Sequence, residues 1–161
     1  MNDSTRIALA LAIVALIIRR QLRTRPVRET ASLIGLGVLA VLGAFAVAFG
    51  VMSVTKYHPV PATAWLLITL SLAIGIAFGL ARARTVRVWR DTATGTVLRK
   101  GSAWTVGLWL VSLAVHFGMD AWIDQVTKAG FLGVSTIYAY VAVTLGAQFW
   151  SVRRRAAAPA G

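Results

Sequence analysis

Three titratable side chains, His116, Asp120 and Asp124, follow one another at intervals of four residues within an apolar part of the sequence. On a continuous helix this spacing places them on one face, with a drift of about 40° per step. A carboxylate one turn away from an imidazole can share a proton with it, and such a pair can also hold a divalent cation or a cationic group. The sequence therefore predicts all three as candidate catalytic residues. The alternative is that Asp120 and Asp124 are solvated cap residues of an outer loop, while His116 hydrogen-bonds to a neighbouring helix.

The sequence has few residues that could support other kinds of chemistry. The chain has no Cys, which excludes disulfides, thiol chemistry and cysteine-ligated zinc. A His and an Asp four residues apart lack the third and fourth ligands that a metal needs. The sequence contains no nucleophile elbow, P-loop, HExxH motif or dinucleotide fingerprint. We therefore predict neither a metal nor a cofactor.

The composition is that of a membrane protein. Of 161 residues 58% are hydrophobic and only 14% are charged, with a mean hydropathy of +0.73. The net charge of +12 would suggest nucleic acid in a soluble protein. However, the charges come in short groups between long apolar runs, whereas a nucleic-acid site needs a continuous basic face. The sequence predicts no nucleic-acid partner.

Long apolar runs define the elements that must position these side chains. A helix needs about 20 apolar residues to cross the hydrocarbon core. The first run reaches that length only if Arg19 and Arg20 extend toward the headgroups. We predict an all-α, polytopic membrane helix bundle of about five transmembrane helices, forming a single domain over 1–155 with a disordered tail at 156–161. The predicted spans are 3–20, 31–54, 62–81, 102–122 and 130–152.

Basic residues lie almost entirely on one side of these spans. Fourteen of the 17 Lys and Arg residues follow the first span, the third span or the last one. Such residues are retained in the cytoplasm, so we predict an N-terminus outside and a C-terminus inside the cell (plasma) membrane. The same arginines are expected to contact anionic lipid headgroups. The fourteen residues are Arg19, Arg20, Arg23, Arg25, Arg28, Arg82, Arg84, Arg87, Arg90, Arg99, Lys100, Arg153, Arg154 and Arg155.

Two further patterns concern packing. Residues 82–101 form the longest loop, and the turn-rich segment 91–95 between β-prone residues favours a small hairpin that leans on the headgroups or the helix ends. Gly75 and Gly79 form a GxxxG pattern. This pattern indicates either a homodimer or membrane-protein partner seam, or packing within a single bundle.

The inner loop also carries a resemblance to a known family. The run Arg84-Thr85-Val86-Arg87-Val88-Trp89-Arg90-Asp91, continuing through Gly95 to Arg99-Lys100-Gly101, follows a short first helix and a basic stretch. In this layout the chain resembles the CcdC-like family of small bacterial integral membrane proteins. The resemblance implies a link to cytochrome c biogenesis through the family name and supplies no catalytic residues. The absence of Cys argues against direct thiol redox work.

Three functions remain open at this point. The first is an accessory or scaffold subunit of a membrane complex. The second is a membrane-embedded, terpene cyclase-like enzyme acting on a lipid or isoprenoid. In this enzyme Asp120 or Asp124 would be the acid and His116 the base or orienter, and an apolar pocket would be shaped by Trp109, Phe117 and Trp122. The third is a small transporter component, which requires charged residues near the midplane of several helices.

Overall fold

The computed structural model of the chain describes residues 15, 18–19, 22–27, 29–128 and 130–157. Helices dominate, which confirms the predicted all-α class. Three short strands accompany them. The helices are α1 (Glu29–Thr55), α2 (Ala62–Thr85), α3 (Ala103–Thr127), α4 (Leu132–Ser135) and α5 (Ile137–Ala157), and the strands are β1 (Arg25–Pro26), β2 (Arg87–Arg90) and β3 (Val97–Lys100).

Four helical segments are long and apolar enough to cross a membrane. They are α1, α2, α3 and the run Leu132–Ala157, which contains α4 and α5. These segments correspond to the last four predicted spans. The predicted first span, residues 3–20, lies outside the described residues except for residues 15, 18 and 19, which are helical. The structure therefore supports a multi-pass membrane protein with four such segments in the part of the chain that it describes.

Several helices extend beyond the predicted ends. Helix α3 continues five residues beyond the predicted end at 122, because Ile123 and Thr127 extend its buried face. It ends where Lys128 adopts a left-handed conformation and its N–H bonds to the carbonyl of Asp124. Helix α5 reaches Ala157, so the first two residues of the predicted tail 156–161 are helical, and the other four lie outside the described residues.

Close packing against α5 organises the bundle. Helix α5 lies along α2 on one side and along α1 on the other, and α3 packs against α2. A Cβ atom added to Gly75 would lie 2.8 Å from the Tyr140 ring, and one added to Gly79 would meet the Thr144 backbone. Only glycine permits this approach of α2 to α5. Gly75 and Gly79 are therefore buried inside the bundle, which leaves the GxxxG stripe unavailable as an outward face.

The segments that connect the helices lie at the two ends of the bundle. Strands β2 and β3 form the antiparallel hairpin that the sequence favours within residues 82–101, and β1 adds to β3 as a third strand. Val88 packs against Ala83, Val86 and Val152, and Arg155 donates hydrogen bonds to the carbonyls of Ala83 and Val86. The hairpin thus rests on the helix ends, as expected. We call this end the sheet end and the opposite one, which contains α4, the α4 end.

Candidate functional site

His116 and Asp120 lie in the interior of the bundle. Their exposed fractions are 0% and 3%, and His116 Nε2 is 3.2 Å from Asp120 Oδ2, although the two atoms are not aligned as a hydrogen bond. Because α3 continues to Thr127, His116 lies about 16 Å from that end of the helix, near its middle. Asp120 is therefore not a solvated cap residue.

Neighbouring helices supply polar partners to this pair. Ser71 Oγ on α2 is 3.3 Å from His116 Nδ1, so both ring nitrogens face a polar atom. Thr136, between α4 and α5, donates a hydrogen bond to Asp120 Oδ1 at 3.1 Å. The Tyr140 ring stacks on the imidazole with 4.0 Å between centroids. Elements on both sides of α3 therefore hold the two side chains in place.

Asp124 has a different role. It is half-buried, and its Oδ1 accepts a hydrogen bond of 2.7 Å from the backbone N–H of Gly133, which fixes the start of α4 against α3. None of the contacts of His116 described above involves it. Of the three predicted residues, the fold brings two together and uses the third as a capping residue.

Tyr140 continues the polar contacts toward the sheet end. Its Oη lies 2.7 Å from Ser112 Oγ and donates to the Ser112 carbonyl at 2.9 Å. A cavity of about 10 Å³ follows, lined by Ser112, Tyr140, Thr144 and Arg82. This volume is about what one water molecule needs.

Arg82 is the residue that the sequence reasoning missed. It was counted among the loop arginines, but it lies within α2 with an exposed fraction of 1%, and its Nε and Nη2 have no hydrogen-bond partner among the described residues. The available signal was its spacing: Arg82 follows Gly79 by three residues and Gly75 by seven, which places it on the same face of the helix. Here we call Ser71, Arg82, Ser112, His116, Asp120 and Tyr140 the buried polar network.

The surroundings of the network limit the chemistry it can perform. Sites for small molecules usually have a volume of about 300–1,000 Å³, far more than the cavity beside Tyr140. Phe117 and Trp122 are each 54% exposed and line neither of the two cavities, although the Phe117 ring centroid lies 6.0 Å from that of His116. Trp109 instead lines the small cavity. Among the described residues, no three His, Asp or Glu side chains are grouped to hold a metal ion.

A scan against protein-family models and searches of curated proteins and solved structures found no match to the chain. The resemblance to the CcdC-like family stays a prediction, and the function has to be argued from the geometry of the network.

Proposed function

We propose that the protein is a proton-handling component of a membrane transport system, in which the His116–Asp120 pair takes up and passes on protons. The observation that carries the proposal is the burial of both side chains near the middle of a helix able to cross a membrane, with their facing atoms 3.2 Å apart. Ionisable residues at membrane depth are costly, and they usually mark ion pathways or proton relays.

The size of the interior favours a proton over a larger substrate. The cavity beside Tyr140, next to the stacked His116 ring, has room for about one water molecule, so a lipid or isoprenoid would have to displace packed helices to reach the pair. A proton needs only hydrogen-bonding groups within reach. The buried polar network offers a carboxylate, an imidazole and hydroxyl groups on three helices.

The position of Arg82 determines from which end of the bundle protons would reach the buried polar network. Arg82 lines the small cavity together with Tyr140, and it lies three residues before the end of α2, at the sheet end. A fixed positive charge in a narrow passage opposes the passage of protons and metal cations. Proton exchange would therefore occur from the α4 end, while Arg82 limits leakage toward the sheet end.

The same proposal includes an orientation in the plasma membrane. The sheet end gathers Arg25, the hairpin arginines and the C-terminal Arg153–Arg155, whereas the α4 end carries Lys56 and Lys128 against Asp124. The positive-inside rule then places the sheet end and the C-terminus in the cytoplasm and the α4 end outside.

Proton flux into liposomes tests the proposal. The purified protein would be reconstituted with a pH-sensitive dye inside, and a potassium diffusion potential would drive protons inward. We expect the wild type to acidify the lumen slowly but faster than empty liposomes, because Arg82 opposes the passage of protons without closing it, and we expect Asp120→Asn and His116→Ala to lose most of this flux. Glu29→Gln is the matched carboxylate control, because Glu29 is exposed and pairs with Arg153 instead. Wild-type liposomes no faster than empty ones, or an Asp120→Asn variant as fast as the wild type, would contradict the proposal and favour the scaffold alternative.

A further inference from the structure

A larger cavity, of about 600 Å³, lies at the sheet end between α1, α5 and the strands β1 and β3. It is separate from the buried polar network and shares no residue with it. Its lining includes the basic residues Arg25 and Arg99. It also includes the apolar residues Leu36, Leu39 and Leu145. The cavity thus joins a cationic part to an apolar groove between two helices.

The two arginines occupy directly opposite positions on paired strands, Arg25 on β1 and Arg99 on β3. Both side chains line the cavity, and no acidic side chain lines it among the described residues. The lining therefore carries positive charge, which suits an anion.

Gln148 provides an independent observation. Its side chain lines the cavity, its exposed fraction is 6%, and it forms no hydrogen bond with the described residues. An amide group that borders the cavity can donate hydrogen bonds to a ligand bound there. Ser32, in the first turns of α1, lines the same cavity, and the N-terminal dipole of the helix also favours an anion there.

We propose that this cavity binds a phosphate-bearing membrane lipid. The phosphate lies between Arg25 and Arg99, whose guanidinium groups match phosphate oxygens in a bidentate manner. Gln148 donates to the headgroup, and an acyl chain follows the groove lined by Leu36 and Leu145. The amphipathic lining favours a lipid over free phosphate, because an inorganic ion would leave the apolar lining residues without a contact. The site does not depend on the proton-handling function.

Binding of a short-chain lipid to the full-length protein tests the proposal. The probe is dioctanoylphosphatidylglycerol, added to protein in a neutral detergent, with affinity measured by calorimetry. Inorganic phosphate and dioctanoylglycerol at equal concentration separate the phosphate from the acyl chains. We expect Arg25→Gln combined with Arg99→Gln to weaken binding about tenfold or more. The matched control is Arg87→Gln with Lys100→Gln, a second directly opposite basic pair on the same sheet that lines neither cavity.

A second pair of variants tests the cavity without changing charge. Gly35 lines the cavity and Gly37 does not, and a Cβ at either position meets no atom within 4 Å. Gly35→Leu should fill the groove and weaken lipid binding about tenfold, whereas Gly37→Leu should leave it unchanged. Three results would overturn the proposal: equal losses in the two basic double variants, no effect of Gly35→Leu, or inorganic phosphate binding as tightly as the lipid. Absence of lipid binding by the wild type would overturn it as well.

Discussion

The Tyr140 ring stacks on the His116 imidazole at 4.0 Å and 12°, and its hydroxyl reaches past the ring to Ser112. One side chain from α5 therefore contacts α3 at two successive turns. Through this residue the His116–Asp120 pair is linked to the part of the bundle that contains Arg82. Substitutions of Tyr140 should therefore show separately how much the hydrogen bond and the stacking contact contribute to stability.

Tyr140→Phe should remove the hydrogen bonds to Ser112 and keep the ring stack. A hydrogen bond between membrane helices contributes about 0.6 kcal/mol on average, so only a small loss of unfolding free energy is expected. Tyr140→Leu removes the stack as well and should cost more, because a cavity forms beside His116. Unfolding in detergent measures both variants. Equal losses would mean that the stacking contact contributes nothing.

Arg82→Met should change the proton leak without lowering the melting temperature. A buried cation without partners can often be replaced by an apolar side chain of similar size with no loss of stability. We therefore expect a melting temperature at or above that of the wild type, together with a faster proton leak in liposomes, because the positive barrier is gone. Arg84→Met is the control, since Arg84 lies two residues away and is exposed. A severe loss of folding in Arg82→Met alone would identify Arg82 as a structural residue.

The four apolar segments could be predicted because each needs only length and hydropathy, which the sequence records directly. The ends of the helices could be predicted less accurately, because they depend on contacts between distant residues. Helix α2, for example, continues past the predicted end at 81 to Thr85, where the carbonyl of Ala83 accepts a hydrogen bond from Arg155, 72 residues later. The hairpin was predictable from its local turn, but its pairing with β1 was not.

The candidate site was predictable only in part for the same reason. The spacing of His116 and Asp120 along one helix is local information. Tyr140 and Ser71 join the pair through packing of α2 and α5, which no local pattern encodes. Arg82 does share a helix face with Gly75 and Gly79, but the positive-inside rule assigns any arginine near a span to the loop.

The proposed topology predicts a labelling pattern in intact cells. The chain has no Cys, so single cysteines at Thr55, Lys128 and Thr94 can be tested with an impermeant thiol reagent against no background. All three positions are exposed in the structure. Thr55 and Lys128 should react, and Thr94 in the hairpin turn should react only after lysis. A cysteine at the fully buried Val54 is the negative control. The reverse pattern would refute the orientation.

Gly79→Ala should destabilise the bundle. An added Cβ would meet the backbone of Thr144, which cannot move aside as a side chain can. Overpacking of this kind typically costs about 1–3 kcal/mol. Gly118→Ala is the matched control, because a Cβ there meets no atom within 4 Å and alanine favours the helix. Opposite shifts in melting temperature are expected, and equal shifts would show that α2 and α5 do not approach closely at this position.

The last prediction concerns coupling between His116 and Asp120. If the pair handles one proton as a unit, then His116→Ala, Asp120→Asn and the double variant should lose about the same proton flux, since groups that act together are strongly non-additive. If the two side chains make unrelated structural contacts, the fractional losses of proton flux in the two single variants should multiply in the double variant. The Ser71→Ala variant adds a graded test, because it removes the partner of the second ring nitrogen and leaves the pair itself intact.

Stability must be measured on the same variants, because a buried carboxylate deprived of its partner can unfold the protein without any role in transport. Melting in detergent provides this control. Asp120→Asn keeps an oxygen that can accept from Thr136, so it should melt close to the wild type while losing flux. If Asp120→Asn and His116→Ala both keep full flux and the wild-type melting temperature, the network is ordinary interhelical packing, and the proton-handling proposal has no residues left to carry it.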